Sequence, residues 1–359
     1  MGSRQMITLS SLINTFEVDL LAQYTSRLLP GHHRALNAMK HCRTQMSPQM
    51  QLQCTQCDQT RLVPHSCGHR HCPHCQHHES QQWLERQLRQ LVPGTYFLLT
   101  FTLPAELRDL AWQHQRILYD AMMQCSWDTL RTFAHNDPHL QGTPGAITVL
   151  HTHSRRLDYH PHVHVLMPAA AIDAKQRLWR TKTRKANCAY LFNHKALAKV
   201  FRAKMLAHLQ QVRVTLPARY PTRWVVHCKP VGGGTKALIY LGRYLYRGVI
   251  REKDLLTCKN GQVTFRYQDG KSRRWQTRTE PGATFLWLIL QHVLPKGLRR
   301  ARTSASCIPT ASGSSSYCNT CSNSICTAPP PRSDRGRASS VNAARLCTSR
   351  ELACRQPLL

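Results

Sequence analysis

The segment YHPHVHVLMP, residues 159–168, sets His162 and His164 two positions apart in an apolar run. In an extended strand such residues point to one face while Val163 points to the other. Two imidazoles so placed can chelate one divalent cation. His160 shares their parity, although Pro161 is expected to end the strand there. His151 and His153 precede this run and could reach it from a neighbouring strand. The plain alternative is a polar strand face with no metal.

A second group lies in KALIYLGRYLYR, residues 236–247. Tyr240 and Tyr244 are four apart and share a helix face, with Lys236, Arg243 and Arg247 beside them as candidate phosphate contacts. A tyrosine with a pKa near ~10 is a poor nucleophile unless a cation polarises its target. Beside a cation-bound phosphate it can attack and form a phosphotyrosine. The competing reading makes both rings core aromatics, in keeping with Leu238, Ile239, Leu241 and Leu245 around them.

The third group is CTQCDQTRLVPHSCGHRHCPHC, residues 54–75. Its two C-x2-C pairs, Cys54/Cys57 and Cys72/Cys75, suit a tetrahedral zinc site of four thiolates. A closed site of this kind is structural, and we expect it to fold a DNA-binding knuckle with Arg61 and Arg70 facing phosphate. Cys42, Cys67, His69 and His71 are substitute ligands or a second site, and the spacing leaves that choice open.

These groups sit in a chain of 359 residues with a formal charge of +31 and 42% apolar residues. The charge favours a polyanion, and nucleic acid is the best fit, because no amphipathic or lipidated segment points to a membrane. No apolar run approaches the ~18–20 residues of a membrane span, and no signal-peptide pattern opens the chain. A cytoplasmic, nucleoid-associated protein with reduced or metal-bound cysteines is therefore expected. Residues 303–359 hold six Lys+Arg, two Asp+Glu and six of the sixteen cysteines, so nearly all of the excess charge belongs to residues 1–302.

Elements able to position the three groups follow from periodicity. Ile13, Phe16, Leu20 and Tyr24 keep helical spacing in an N-terminal segment of residues 1–40. Glu79–Leu91 reads as a basic helix, Tyr96–Leu103 as a strand stopped by Pro104, and Ala105–Phe133 as largely helical. Gly145–Leu150 and Val163–Met167 read as strands. Asn193 is placed to cap a helix through Leu209, and Trp224–Cys228 is another strand. Thr235–Arg247 is helical, Val263, Phe265 and Tyr267 alternate as a strand, and Thr284–Leu294 is a final apolar helix.

The three groups, in the chain order cysteines, histidines, tyrosines, resemble the HUH-type two-tyrosine transposases of bacterial insertion sequences, the insertion-sequence-ninety-one-like group. The similarity runs from about Cys42 to Arg302 and rests on RHCPHC, YFLLTFTLP, HPHVHVLMP, YLGRY and HVLPKG. It implies an α+β fold: an antiparallel sheet flanked by helices, preceded by a small zinc-binding module. The implied divisions are a zinc module over 41–92 and a catalytic domain over 93–302. It also implies His162 and His164 as ligands of magnesium or manganese and Tyr240 and Tyr244 as nucleophiles, with Tyr246 off the pattern. The implied activity is rolling-circle transposition, in which single-stranded DNA is cut and rejoined through a 5′-phosphotyrosine. The rival readings are a non-catalytic zinc-dependent DNA-binding protein and an inactive transposase remnant.

The resemblance stops at the tail. Relatives would continue with an aromatic, apolar segment, whereas TSASCIPTASGSSSYCNTCSNS is rich in Ser and Cys. A shifted reading frame near Arg302–Thr303 would restore an apolar continuation, given suitable codons. Residues 303–359 are then expected to be disordered and activity to be compromised. The alternative is a genuine second metal-binding tail at Cys318-x2-Cys321.

Overall fold

A computed structural model of the protein describes residues 7–57, 59–176, 178–182, 191–246, 248–270 and 272–304. Arg247 and the expectations for the tail beyond residue 304 lie outside them.

Helix α1, Leu9–Tyr24, starts at Thr8, whose hydroxyl accepts from Ser11 N–H, and buries Leu9, Leu12, Ile13, Phe16 and Leu20. Helix α2 (Pro30–His41) follows. The cysteine-rich stretch contains one hairpin, β1 (Gln49–Gln53) with β2 (Thr60–Pro64), and leads into α3, His77–Leu88. Next come β3 (Tyr96–Thr102), α4 (Arg108–Gln113) and α5 (Gln115–Asn136). Strands β4 (Thr143–Pro144), β5 (Ala146–His153), β6 (Tyr159–Pro168), β7 (Ala170–Asp173) and β8 (Leu178–Thr181) follow in turn. Helix α6, His194–Gln211, is capped as its sequence predicts: Asn193 Oδ1 accepts from the N–H groups of Lys195 and Ala196. Strand β9 (Val225–Pro230) precedes α7 (Thr235–Tyr246). The meander β10 (Leu255–Lys259), β11 (Gln262–Gln268) and β12 (Trp275–Pro281) ends in α8, Gly282–Leu290. Strand β13 spans Ala301–Ser304.

The central sheet is antiparallel, in the order β13-β5-β6-β3-β9, and it is covered on both faces. Strand alternation sorts its residues. Phe97, Leu99, Phe101, Val163 and Val165 join the core beneath α5 and α6. Leu98, Val149 and Leu166 join Trp83 of α3 and Leu238 and Leu241 of α7 in a second core. His162 and His164 share parity with Leu166, so β6 delivers them to the α7 face. The α+β fold with an antiparallel sheet flanked by helices is thus present.

Two expectations are corrected here. Pro161 does not end its strand, because His160 and Pro161 together oppose Thr152 in a bulge, where a missing N–H costs the ladder nothing. The last apolar helix stops at Leu290 rather than Leu294. Beyond it, Leu294 N–H donates to the His71 ring at 3.2 Å instead of to a helical carbonyl.

A third core joins α1, α2, α8 and the β10–β12 meander. Gly282 is required where α8 meets α1, since a Cβ there would fall 2.3 Å from the Phe16 ring. Within this core His32 is 1% exposed and stacks on Trp112. Its Nδ1 accepts from Leu29 N–H at 3.1 Å. Burial, with the charge of His33, pulls its pKa down to about 4. The unfolded chain binds this proton below pH ~6.5, so the stability present above that pH is lost as pH falls toward 4. His32→Gln keeps an acceptor for Leu29 N–H and cannot titrate. It should reduce the stability loss between pH 7 and pH 5 by about 2 kcal/mol, as read by urea unfolding at both values.

Candidate active site

Strands β5 and β6 pair with His151 opposite His162. The register places ligand atoms of His151, His162 and His164 within 4.8 Å of one another. His162 Nδ1 lies 2.7 Å from the His160 carbonyl and His164 Nδ1 lies 2.9 Å from the Thr100 hydroxyl, which leaves both Nε2 atoms for a metal. His151 Nε2 is buried and has no hydrogen-bond partner among the described residues. An orphaned donor atom in a cluster of neutral imidazoles fits a divalent cation. Burial keeps the rings neutral: it lowers His162 to about 4 and His164 to about 3, and it holds His151 well below its ordinary value.

The other two candidate histidines are elsewhere. His160 Nδ1 meets the Arg108 guanidinium at 2.6 Å. His153 lies across the bulge, stacks on Tyr244 and faces His292 at 5.1 Å.

Helix α7 lays both tyrosines over this cluster, but unequally. Tyr240 is 45% exposed, with its ring 6.2 Å from His164 and 6.3 Å from His151. Tyr244 stacks flat on His151 at 3.3 Å, and its hydroxyl donates to the His153 carbonyl at 3.3 Å. Arg300 lies 5.2 Å from the Tyr244 ring and is tied to the carbonyls of Leu150 and Leu245. Burial raises the pKa of both phenols; Arg155 and Arg273 oppose the rise at Tyr240, and Arg300 opposes it at Tyr244. Gly242, between the tyrosines, lets α7 close on α3, since a Cβ there would lie 3.1 Å from the Trp83 ring. Lys236 and Arg243 are exposed on the same helix. Arg300 carried no local signal in the sequence; it comes to Tyr244 only because β13 pairs with β5.

The cysteine pairing expected from spacing is corrected. The four sulfurs that converge belong to Cys42, Cys67, Cys72 and Cys75, all within 4.8 Å of one another. Cys42 Sγ lies 3.3 Å from Cys75 Sγ and 3.4 Å from Cys72 Sγ. These spacings approach the roughly 3.8 Å edge of a zinc–thiolate tetrahedron with ~2.3 Å bonds. Cys54 and Cys57 sit instead in the turn between β1 and β2, just past the Gln53–Thr60 pair, and are not among the four. Burial raises the Cys42 thiol, and Cys72 to about 12. At Cys75 burial is outweighed by hydrogen bonds from Cys67 N–H, Ser66 and Cys42, which bring it down to about 6. Such a thiolate is ready for a metal.

Neither neighbouring histidine joins the cysteines. His71 accepts from Leu294 N–H, and the His69 ring lies tilted beside it at 5.7 Å. Arg70 was expected to face phosphate, but it turns inward and donates to the Leu298 carbonyl at 3.1 Å. His74 pairs with Glu252 at 3.1 Å. These bonds clamp the cysteine module to the rest of the protein, and the first of them joins RHCPHC to HVLPKG.

Known proteins resemble this chain over most of its length. A family model described as "Putative transposase" matches residues 145–305, and one described as "Transposase zinc-binding domain" matches residues 12–103. The chain is 31% identical over 305 residues to "Putative transposase y4qJ" of Sinorhizobium fredii, covering 78% of this chain and 75% of that protein. It is 30% identical over 261 residues to the transposase for insertion sequence element IS801 of Pseudomonas savastanoi pv. phaseolicola, covering 68% of this chain and 62% of that protein. No solved structure matches. No helix among the described residues is long and apolar enough to cross a membrane. With a zinc-binding and a transposase family model both matched, and with relatives aligned along most of its length, the chain belongs to the IS91-like transposase family.

Proposed function

We propose that this transposase cuts and rejoins single-stranded DNA through a 5′-phosphotyrosine during rolling-circle transposition, with Tyr240 and Tyr244 as nucleophiles. The observation that carries this reading is the two-tyrosine helix lying directly over three converging histidines. A reading in which both rings are core aromatics is opposed by the 45% exposure of Tyr240.

His151, His162 and His164 would hold magnesium or manganese. Bound there, the cation would polarise a phosphoryl oxygen and offset the charge that develops during attack. Tyr240 Oη would bond to phosphorus as its proton leaves. The bond to the departing 3′ oxygen would break, and that oxygen would leave as a hydroxyl. The phosphotyrosine conserves the energy of the broken ester, so rejoining is the same step reversed with a new 3′ hydroxyl. Lys236 and Arg243, on the exposed side of α7, would hold the strand by its phosphates. The cysteine cluster would hold a structural zinc and keep α3 beneath α7.

The test is a covalent adduct on single-stranded transposon-end DNA, scored against manganese concentration. Chelation should abolish the adduct. His151→Ala should raise the manganese needed for half-maximal adduct by roughly 10-fold or more, by analogy with the losses seen on disturbing metal shells. Adduct formation unaffected by chelation would remove the metal role, and the absence of any adduct from the intact protein would favour a binding module.

A further inference from the structure

Beside Tyr240 a cavity of about 350 Å³ opens between α7 and the β10–β12 meander. Its far wall carries Trp275 and Tyr267, and Arg155, Arg243 and Arg266 line it as well. Trp275 is 54% exposed although it stands in a strand whose neighbours are polar. This open indole, with Tyr267 on the same cavity lining, offers aromatic surface on which a base can stack. The meander beneath it is anchored, because Val263 and Phe265 are buried in the α1/α8 core.

The charges around the indole are fixed in place. The Arg266 guanidinium lies 4.9 Å from the Trp275 ring centre, and its Nε is bonded to Asp254 Oδ1 at 2.9 Å. Asp254, the acid of this cavity, also takes Arg251 Nε at 2.6 Å. One carboxylate therefore faces two guanidiniums, and Arg155 and Arg243 add to the positive excess. A flat aromatic ring, a basic rim and a cavity too small for a duplex together suit one nucleotide of a single strand.

We infer that the β10–β12 meander is a base-stacking platform, with Trp275 as its ring, for the nucleotide that flanks the scissile phosphate. The inference rests on the reading of Tyr240 as a nucleophile, since that tyrosine forms the opposite wall of the same cavity. Nothing in the chemistry of the three histidines requires such a platform. Its function would be to hold the strand in register while the phosphodiester is exchanged.

The probe is a fluorescein-labelled 16-nucleotide thymidine strand, titrated into the full-length, zinc-loaded protein. Trp275→Ala should weaken binding about tenfold. Trp275→Phe, which keeps a stacking ring, should recover most of the loss, and duplex of the same length should bind all three proteins alike. In a strand carrying 5-iododeoxyuridine, irradiation should crosslink the peptide that contains Trp275. Equal single-strand binding by Trp275→Ala and wild type, or crosslinks confined to other peptides, would overturn the platform. If the platform fails while wild type still forms its phosphotyrosine adduct, the reading of the tyrosines survives. If wild type forms no adduct but Trp275→Ala binds weakly, base stacking on Trp275 stands, while its place beside a scissile phosphate falls with the catalytic reading.

Discussion

Replacing Tyr240 with Phe is expected to lower first-strand cleavage by on the order of 10⁴-fold or more, with no phosphotyrosine adduct recovered. Tyr244→Phe should leave the first cut within a few-fold of wild type and remove the joined product. The asymmetry follows from the two environments. Tyr240 stands at the mouth of the histidine cluster and is 45% exposed, so a phosphate can reach it. Tyr244 lies flat on His151 with its hydroxyl engaged by the His153 carbonyl, and Arg300 packs near its ring. It must leave those contacts before it can attack, which suits a second transfer. Phe keeps both rings, so packing changes little in either variant. Single-turnover reactions on labelled single-stranded transposon ends, run on denaturing gels, separate adduct from joined product. An adduct that persists in Tyr240→Phe and vanishes in Tyr244→Phe would reverse the order.

The second large effect concerns zinc. Cys42→Ser and Cys67→Ser should each lose the metal and open the N-terminal module to protease, whereas Cys54→Ser should retain about one zinc per chain. Structural zinc contributes an apparent ~10–16 kcal/mol in small zinc modules, so losing a ligand removes most of what folds such a region. The effect should reach beyond the module. Arg70, His71 and His74 clamp it to Leu298, Leu294 and Glu252, and Trp83 packs under Gly242 between the tyrosines. Metal content by elemental analysis and limited proteolysis supply the readouts. Retention of zinc in Cys42→Ser with its loss in Cys54→Ser would restore the pairing suggested by spacing.

Local pattern carried much of the fold. The i, i+4 apolar residues of α1, the Asn193 cap and the alternation in β11 each report a choice made by a few neighbouring residues. Strands β1, β2, β10 and β12 were not legible, because their residues are largely polar and exposed and their pairing partners lie in other segments. The bulge at His160–Pro161 was missed for a related reason. A proline stops a strand in isolation, but it is harmless where β5 offers one residue against two.

The candidate site divides in the same way. The sequence by itself determined that His162 and His164 share a face, that Tyr240 and Tyr244 share another, and that six of the sixteen cysteines cluster within residues 42–75. These are consequences of strand and helix periods, which act over a few residues. Only the tertiary structure decided that His151 completes the trio, that Tyr240 is open while Tyr244 is packed, and that Cys42 and Cys67 replace Cys54 and Cys57. Each of those outcomes depends on strand register or on where a distant segment docks. The charge of +31 told the same story at lower resolution. It marked a polyanion as the partner, but the fold alone turned Arg70 inward to a carbonyl and set Arg243 outside on the tyrosine helix.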